Sequence, residues 1–285
     1  MVEVSYYPGC SLHGVAREYN ESTEAVSEKL GVNLAELEDW NCCGASSAHA
    51  TSNELALALP ERNLRLASQV GMDLIVPCAA CYSRLRAAEK ELLADTTTEG
   101  SADKYQGGFE VKHLADFFWE DVGEDTILGQ VTRPLGGLSL VCYYGCLITR
   151  PPRVTDVTDP DNPESMDNLM KTVGADVRAW SYKTDCCGAG HILTLPRVAQ
   201  RMIQKLLDMA QEAGADCIVS GCPMCQSNLD RAQEDISRET GKKYSVPILY
   251  FTELMGLAFG DPEVGKWFSR HIVDPRPLLK QKGLL

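Results

Sequence analysis

Short apolar runs alternate with longer amphipathic stretches along the whole chain. In the first part, VEVSYY (2–7), VNLAEL (32–37), DLIV (73–76) and a run near 109–115 read as strands. The stretches at about 14–30, at 53–70 and after Cys81 read as helices between them. In 53–70 apolar residues recur near i, i+3 and i+4, and Pro60 predicts a kink or a new helix start there. The same succession returns with LSLVCYY (138–144), ADVRAW (175–180), DCIV (216–219) and a run at 244–251. Its helices fall at 164–174, at 193–213 and after Cys225. Gly71 and Gly214 precede the third strand of each series and suit helix C-caps. Strands alternating with helices predict parallel sheets joined by right-handed crossovers. The stretch DTTTEGSADKYQGG (95–108) reads as a surface loop, and 119–136 reads as the connection between the two series.

The two series are copies of one another. VEVSYYPGC (2–10) matches LSLVCYYGC (138–146), and GVNLAELEDWNCCG (31–44) matches GADVRAWSYKTDCCG (174–188). GMDLIVPCAACYSRL (71–85) matches GADCIVSGCPMCQSNL (214–229), and VKHLADFF (111–118) has a looser counterpart in ILYFTELM (248–255). A collinear repeat of this length marks a duplicated unit. The expected architecture is α/β: two tandem homologous domains, 1–130 and 131–285, each a small parallel sheet with flanking helices, related by a pseudo-two-fold axis.

The repeat sorts the cysteines. Cys10, Cys42, Cys43, Cys78 and Cys81 in the first copy match Cys146, Cys186, Cys187, Cys222 and Cys225 in the second. Each group follows a predicted strand, and in a parallel sheet those ends share the edge where open α/β sheets bind ligands. Cys78 and Cys81 open a helix at i and i+3, which puts both thiols on one face and near the amides of the helix N-terminus. Gly44 lets the adjacent Cys42 and Cys43 enter a tight turn whose amides donate to anionic sulfur. Five cysteines per copy exceed the four ligands of a structural zinc or an ordinary cubane cluster, and the bacterial ferredoxin run C-x2-C-x2-C-x3-C-P is absent. Cys142 and Cys217 lie on strand patterns opposite Tyr6 and Leu74 of the other copy, so they are expected in the core.

Composition narrows the remaining classes. Twelve cysteines, no charged-plus-apolar leader and no apolar run near 18 residues predict a cytoplasmic chain with metal or redox chemistry, not a disulfide scaffold. The formal net charge is −13, all of it in residues 1–130 (9 Lys+Arg against 22 Asp+Glu), while residues 131–285 balance at 18 each. With a pI near 4.9 and no basic patch interleaved with aromatics, nucleic acid is excluded as a partner. No G-x-G-x-x-G follows a strand, so a nicotinamide or flavin held here is not expected and electrons must come from another protein.

With the motifs in place, the chain resembles the B-type subunit of heterodisulfide reductase, built from a duplicated cysteine-rich CCG domain. The resemblance rests on Cys10 and Cys146 preceding CCG by 31 and 39 residues, and on the CxxC pairs Cys78/Cys81 and Cys222/Cys225. It covers essentially the whole chain. It implies two [4Fe-4S] clusters, non-cubane, one held by each five-cysteine set, with one thiolate bridging irons. It also implies reduction of a disulfide to two thiols between the clusters; in the archaeal enzyme the substrate joins coenzyme M to coenzyme B. Catalysis is expected at Cys42, Cys43, Cys186 and Cys187. The implied partners are a ferredoxin-like iron–sulfur subunit, of the C type in that family, and a flavoprotein subunit, of the A type.

Two symmetric one-electron centres would share a two-electron reduction without a free thiyl radical. An electron relay without its own substrate is the alternative reading, and structural zinc a third. His49 and His191 stand near the CCG turns as proton-donor candidates. Arg150, Arg153 and Lys183 flank the second motif as candidate anion-binding groups. The tail KWFSRHIVDPRPLLKQKGLL, with five Lys+Arg against one Asp, fits either an acidic partner or the chain's own acidic half.

Overall fold

A computed structural model describes residues 2–45, 48–95 and 104–285. The first copy carries β1 (Val2–Tyr6), α1 (Gly9–His13), α2 (Arg17–Lys29), β2 (Val32–Glu36), α3 (Ala48–Thr51), α4 (Asn53–Val70), β3 (Leu74–Val76), α5 (Ala79–Ala94), β4 (Val111–His113) and α6 (Leu114–Phe117). A single π-turn, Phe118–Val122, and α7 (Glu124–Gln130) follow. The second copy carries β5 (Ser139–Tyr143), α8 (Pro152–Thr155), α9 (Ser165–Thr172), β6 (Asp176–Val177), α10 (Pro196–Glu212), β7 (Cys217–Ser220), α11 (Pro223–Arg231), α12 (Gln233–Thr240), β8 (Ile248–Tyr250) and α13 (Phe251–Ala258). The chain ends with α14 (Val264–Phe268) and α15 (Arg276–Gln281).

Each copy forms a four-stranded sheet, all parallel, in the equivalent orders β2-β1-β3-β4 and β6-β5-β7-β8. The central strands are buried along their length, as strands covered on both faces must be. Helix α4 starts where Ser52 Oγ accepts the Leu55 N–H (3.2 Å) and stops at Gly71, whose φ of 72° is left-handed.

Several expectations need correction. Pro60 does not restart the helix: Asn53–Val70 runs through it, with Pro60, Leu64 and Ala67 packed into the interior of the fold. Burial of that face outweighs the one backbone hydrogen bond that proline forgoes. ADVRAW yields only the two-residue β6: the Arg178 N–H still donates to Leu140 O (2.7 Å), and edge position lets Ala179 and Trp180 leave the ladder. The helix after Cys225 breaks at Ala232 into α11 and α12. The connection 119–136 holds ordered helix, with Ile127 and Leu135 fully buried. Of the loop expected at 95–108, residues 96–103 lie outside the described residues.

One hydrophobic core runs through both copies, from Val4 and Val26 to Ile218 and Phe268. It is continuous because helices of the two copies pack on one another. Helix α2 packs on α13 and α14 of the second copy, and α9 packs on α6 of the first. At the first of these contacts Tyr19 stacks flat on Tyr250, with centroids 4.1 Å apart, and Ser22 Oγ meets Thr252 Oγ1 at 2.6 Å. Near the axis, Phe118 meets Phe251 edge-on.

The tail closes on the chain's own body. Arg270 and Lys266 pair with Glu21 of α2 (2.8 and 3.5 Å), Trp267 and Phe268 are buried, and Lys282 reaches Asp216 (2.6 Å). Among the described residues no helix is long and apolar enough to cross a membrane.

Candidate functional site

The C-terminal ends of β1, β2 and β3 deliver Cys10, the Cys42–Cys43 turn and the Cys78–Cys81 helix start to one place, and β5, β6 and β7 repeat the delivery. In the first copy Cys10 Sγ lies 3.9 Å from Cys42 Sγ, and Cys43 Sγ lies 3.2 Å from Cys81 Sγ. Hydrogen-bonding contacts of Cys42 with Cys43 and of Cys78 with Cys81 complete the set. In the second copy Cys187 Sγ lies 3.5 Å from Cys225 Sγ, while Cys146 touches Cys186 and Cys222 touches Cys225. The two sets also meet: Cys78 and Cys222 lie side by side at the pseudo-two-fold axis, the carbonyls before them both within reach of the Tyr19 hydroxyl. That junction is a buried contact and not an open cleft, since both cysteines are 3% exposed. Cys10, Cys42 and Cys186 are the surface members. A cleft of about 660 Å³ between the copies is lined by Tyr82, His113, Thr149 and Ser165, and by none of the ten cysteines.

Glycines make room for the sulfur. Gly9 and Gly145 have φ of 70° and 69°, and a Cβ on either would come within 3.0 Å of Cys81 Sγ or Cys225 Sγ. Gly44 and Gly188 (φ 75° and 76°) turn their N–H groups onto Cys42 Sγ and Cys186 Sγ at 3.4 and 3.3 Å. Behind each set a tyrosine fixes the turn. Tyr7 Oη donates to Asn41 O (2.7 Å), and Tyr143 Oη donates to Asp185 O (2.6 Å). Two further groups clamp the junction. Tyr19 Oη reaches Pro77 O and Gly221 O at 3.2 and 3.3 Å, and His113 Nε2 lies 3.1 Å from each. Those carbonyls immediately precede Cys78 and Cys222.

Sequence reasoning missed Gly9, Gly145, Tyr7, Tyr143, Tyr19 and His113. For the first four the signal lay in the repeated YYPGC/YYGC strings. Tyr19 has no echo, and the position of His113 is held in the second copy by Tyr250.

The thiols bias one another. Hydrogen bonds from Cys42 and then Cys81 hold the Cys43 thiol well below its usual range, while Cys42 is pushed up, chiefly by that same bond to Cys43. The Cys146 contact lowers Cys186 against the opposing effect of burial, and the Gly188 amide adds to it. Contact with Cys225 lowers both Cys187 and Cys222. Each set therefore holds members that shed a proton readily, as thiolate ligands must.

Other candidates take different places. Cys142 and Cys217 are fully buried on strands, away from both sets. Lys183 is unavailable to a substrate: it is 6% exposed, pairs with Asp167 (3.0 Å) and donates to Pro163 O. Arg150 pairs with Asp161 and donates to Thr184 O, whereas Arg153 is exposed. His191 sits on the turn after the second CCG, where its charge favours the Cys186 thiolate. His49 lies on α3.

No three His, Cys, Asp or Glu side chains among the described residues are arranged around a single metal ion. The fit to a metal–sulfur group lies in the donor set: five contiguous thiols, inward N–H groups, and glycines whose missing Cβ leaves the sulfur its space. As an expected result, Gly145→Ala lowers metal incorporation of the second set by at least half and destabilises the fold by about 1–2 kcal/mol from the positive φ alone. Metal analysis and anaerobic urea unfolding check it, and Gly283→Ala, at a glycine of positive φ with nothing within 4 Å, is the control.

The two regions also match a known domain. Residues 4–86 and 140–230 each fit the cysteine-rich CCG domain. The chain belongs to the CCG cysteine-rich domain family. It is 32% identical to the 8-methylmenaquinol:fumarate reductase membrane anchor subunit of Wolinella succinogenes, over 97% of this chain and 99% of that one. It is 29% identical to the B-type subunit of the ferredoxin/F420H2-dependent CoB–CoM heterodisulfide reductase of Methanosarcina acetivorans, over 91% and 90% of the two chains. A protein of Archaeoglobus profundus, itself similar to the heterodisulfide reductase B-type subunit, is 26% identical over 92% and 93%. The fold matches a crystal structure of a hypothetical protein from Helicobacter pylori with a TM-score of 0.72 at 12% identity, covering 95% of this chain and 52% of that one.

Proposed function

We propose that this CCG protein is the iron–sulfur subunit of a multi-subunit, heterodisulfide reductase-like complex in the cytoplasm. In this reading residues 1–130 and 131–285 each hold one non-cubane [4Fe-4S] cluster. The ligands are Cys10, Cys42, Cys43, Cys78 and Cys81 in one copy and Cys146, Cys186, Cys187, Cys222 and Cys225 in the other. A ferredoxin-like subunit and a flavoprotein supply the electrons, and a disulfide is reduced to two thiols. The observation that carries the reading is the meeting of the two thiol sets where Tyr19 Oη and His113 Nε2 each bridge the carbonyls preceding Cys78 and Cys222. When bound, such clusters pass single electrons and offer iron as a Lewis acid to a departing thiolate.

The chain's own residues supply the rest. Cys42 and Cys186, the surface members of the adjacent pairs, face an incoming disulfide, while Cys43 and Cys187 anchor the pairs from inside. The Gly44 and Gly188 amides hold negative charge on Cys42 and Cys186. Tyr19 and His113 keep the two sets in fixed register.

A second reading, a relay without its own disulfide, is favoured by the likeness to a membrane anchor subunit of a quinol:fumarate reductase. Anaerobically prepared protein is expected to be brown with iron for two four-iron clusters. Adding a thiol to the oxidised protein is expected to change its EPR spectrum. A spectrum unmoved by thiols leaves the relay, and colourless protein removes both readings.

A further inference from the structure

Helices α4 and α10 follow the two CCG turns and are equivalent residue for residue. Pro60, Asn63, Leu64 and Ala67 of α4 and Ile203, Leu206, Leu207 and Ala210 of α10 are buried at one constant offset. The inner faces match, so the outer faces can be compared directly.

They differ in charge, balanced on α4 and positive on α10. At the outer positions of α4 stand Glu54, Leu55, Ala58 and Arg62; the equivalents on α10 are Arg197, Val198, Arg201 and Lys205. On α4 the cations are neutralised, Arg62 by Asp39 and Arg65 by Glu61. On α10, Arg197 and Arg201 are exposed and make no ion pair or side-chain hydrogen bond among the described residues, while Lys205 lies 3.4 Å from Asp185 and 4.6 Å from the centre of the Tyr182 ring. From Cys186 to Leu207 the chain contains no Asp or Glu, on a protein of net charge −13.

The rim leading into α10 is also apolar and uncovered. Leu193 is 93% exposed, Leu195 53% and Val198 42%, all within twelve residues of the surface cysteine Cys186. Isolated exposed leucines are ordinary, but a contiguous apolar rim beside unpaired arginines has the composition of an interface.

We propose that the rim Ile192–Arg201 is the docking face for an acidic electron-carrying protein, and that electrons reach the pair of thiol sets through the second copy. The inference rests on the redox reading above and adds to it the partner's chemistry and the side on which it lands. Charge selects the occupant. The first copy, at −13, repels an acidic carrier, whereas this basic rim attracts one and sets its orientation. The apolar residues then exclude water from the contact. At each encounter one electron would pass from the reduced carrier to the iron–sulfur cluster that the second set would hold; no bond is made or broken, and two encounters deliver the pair that a disulfide consumes.

The test uses the full-length anaerobic protein and an acidic two-cluster ferredoxin as probe, with binding followed by calorimetry across salt concentrations. Native protein is expected to bind more weakly as salt rises. Arg197→Glu with Arg201→Glu is expected to weaken binding at least tenfold and abolish the salt dependence. Leu193→Ser is expected to weaken binding severalfold with the salt dependence intact. Glu54→Gln with Leu55→Ser, the equivalent change on the first copy, is expected to leave affinity unchanged. Native affinity in the arginine variant overturns the proposal, as does loss of affinity in the first-copy variant. So does sedimentation showing that Leu193→Ser dissociates a homodimer, because a second copy of the chain is then the occupant. Metal content and reduction by dithionite report separately on the redox reading: protein without iron sinks that reading, whereas iron-loaded, reducible variants that bind as native sink only the docking face.

Discussion

Replacing Cys222 and Cys225 together by alanine is expected to lower disulfide turnover at least about a hundredfold while halving the iron content. The estimate follows from removing one of two Lewis-acid and electron-supplying centres, whose contribution of several kcal/mol to a barrier corresponds to two or more decades in rate. The first set keeps Cys10, Cys42, Cys43 and Cys81 in their own contacts, so reduction of that set by dithionite is expected to persist. Cys78 loses its partner across the axis, which adds to the defect. The assay is steady-state consumption of a small-molecule disulfide by the anaerobic protein with a reduced viologen, normalised to iron. Turnover at the native rate in protein shown to lack the second cluster removes the two-centre mechanism.

The largest effect on stability is expected from His271→Ala, at about 3–5 kcal/mol, because it leaves the fully buried Glu253 without a counter-charge. His271 Nε2 lies 2.9 and 3.1 Å from the two Glu253 oxygens, and Glu253 Oε2 also accepts the Tyr250 N–H (2.9 Å) at the start of α13. On the other side of the ring, Nδ1 lies 3.1 Å from the Gln226 amide, one residue beyond Cys225. Burial disfavours the imidazolium, but Glu253 first, then Asp230 and Glu18, outweigh it and raise the histidine to about 9. A raised folded-state value contributes stability that is complete below the unfolded value near 6.5 and is lost as pH climbs through 9. The native protein should therefore lose about 3 kcal/mol between roughly pH 6 and 10 relative to His271→Ala. Anaerobic urea unfolding across that range measures both quantities, and parallel pH profiles for the two proteins would refute the assignment.

Legibility followed the repeat. The duplicated strings placed the ten cysteines after equivalent strands, and the structure gathers each group at one sheet edge. Tyr7 and Tyr143 were visible as repeated letters, yet nothing in a YY pair says which hydroxyl will close the CC turn, the second in Tyr6–Tyr7 and the first in Tyr143–Tyr144. Gly9 and Gly145 had a signal of the same kind, which acquires meaning only once Cys81 and Cys225 are seen against them. Tyr19 and His113 carried none, because each occurs in one copy only and acts at the axis where the copies stop being equivalent. Lys183 shows the converse. Its charge beside the CCG motif suggested a ligand, but Asp167 of α9 draws it inside, and no local pattern reveals that partner. ADVRAW and the restart expected at Pro60 failed for tertiary reasons as well, an edge strand released early and a helix held continuous by its buried face.

The packing of α2 and α9 against the opposite copy carries a consequence for the chain's history and engineering. Each half buries one flank of a helix on helices of the other, so a half cut out alone would expose that flank. Two separate polypeptides joined through those flanks would make a closed, symmetric pair, and joining them end to end yields the present molecule. Fusion fixes the ratio of the centres at one to one. It also frees each side to diverge, so that one flank can become a landing place while its twin stays bare.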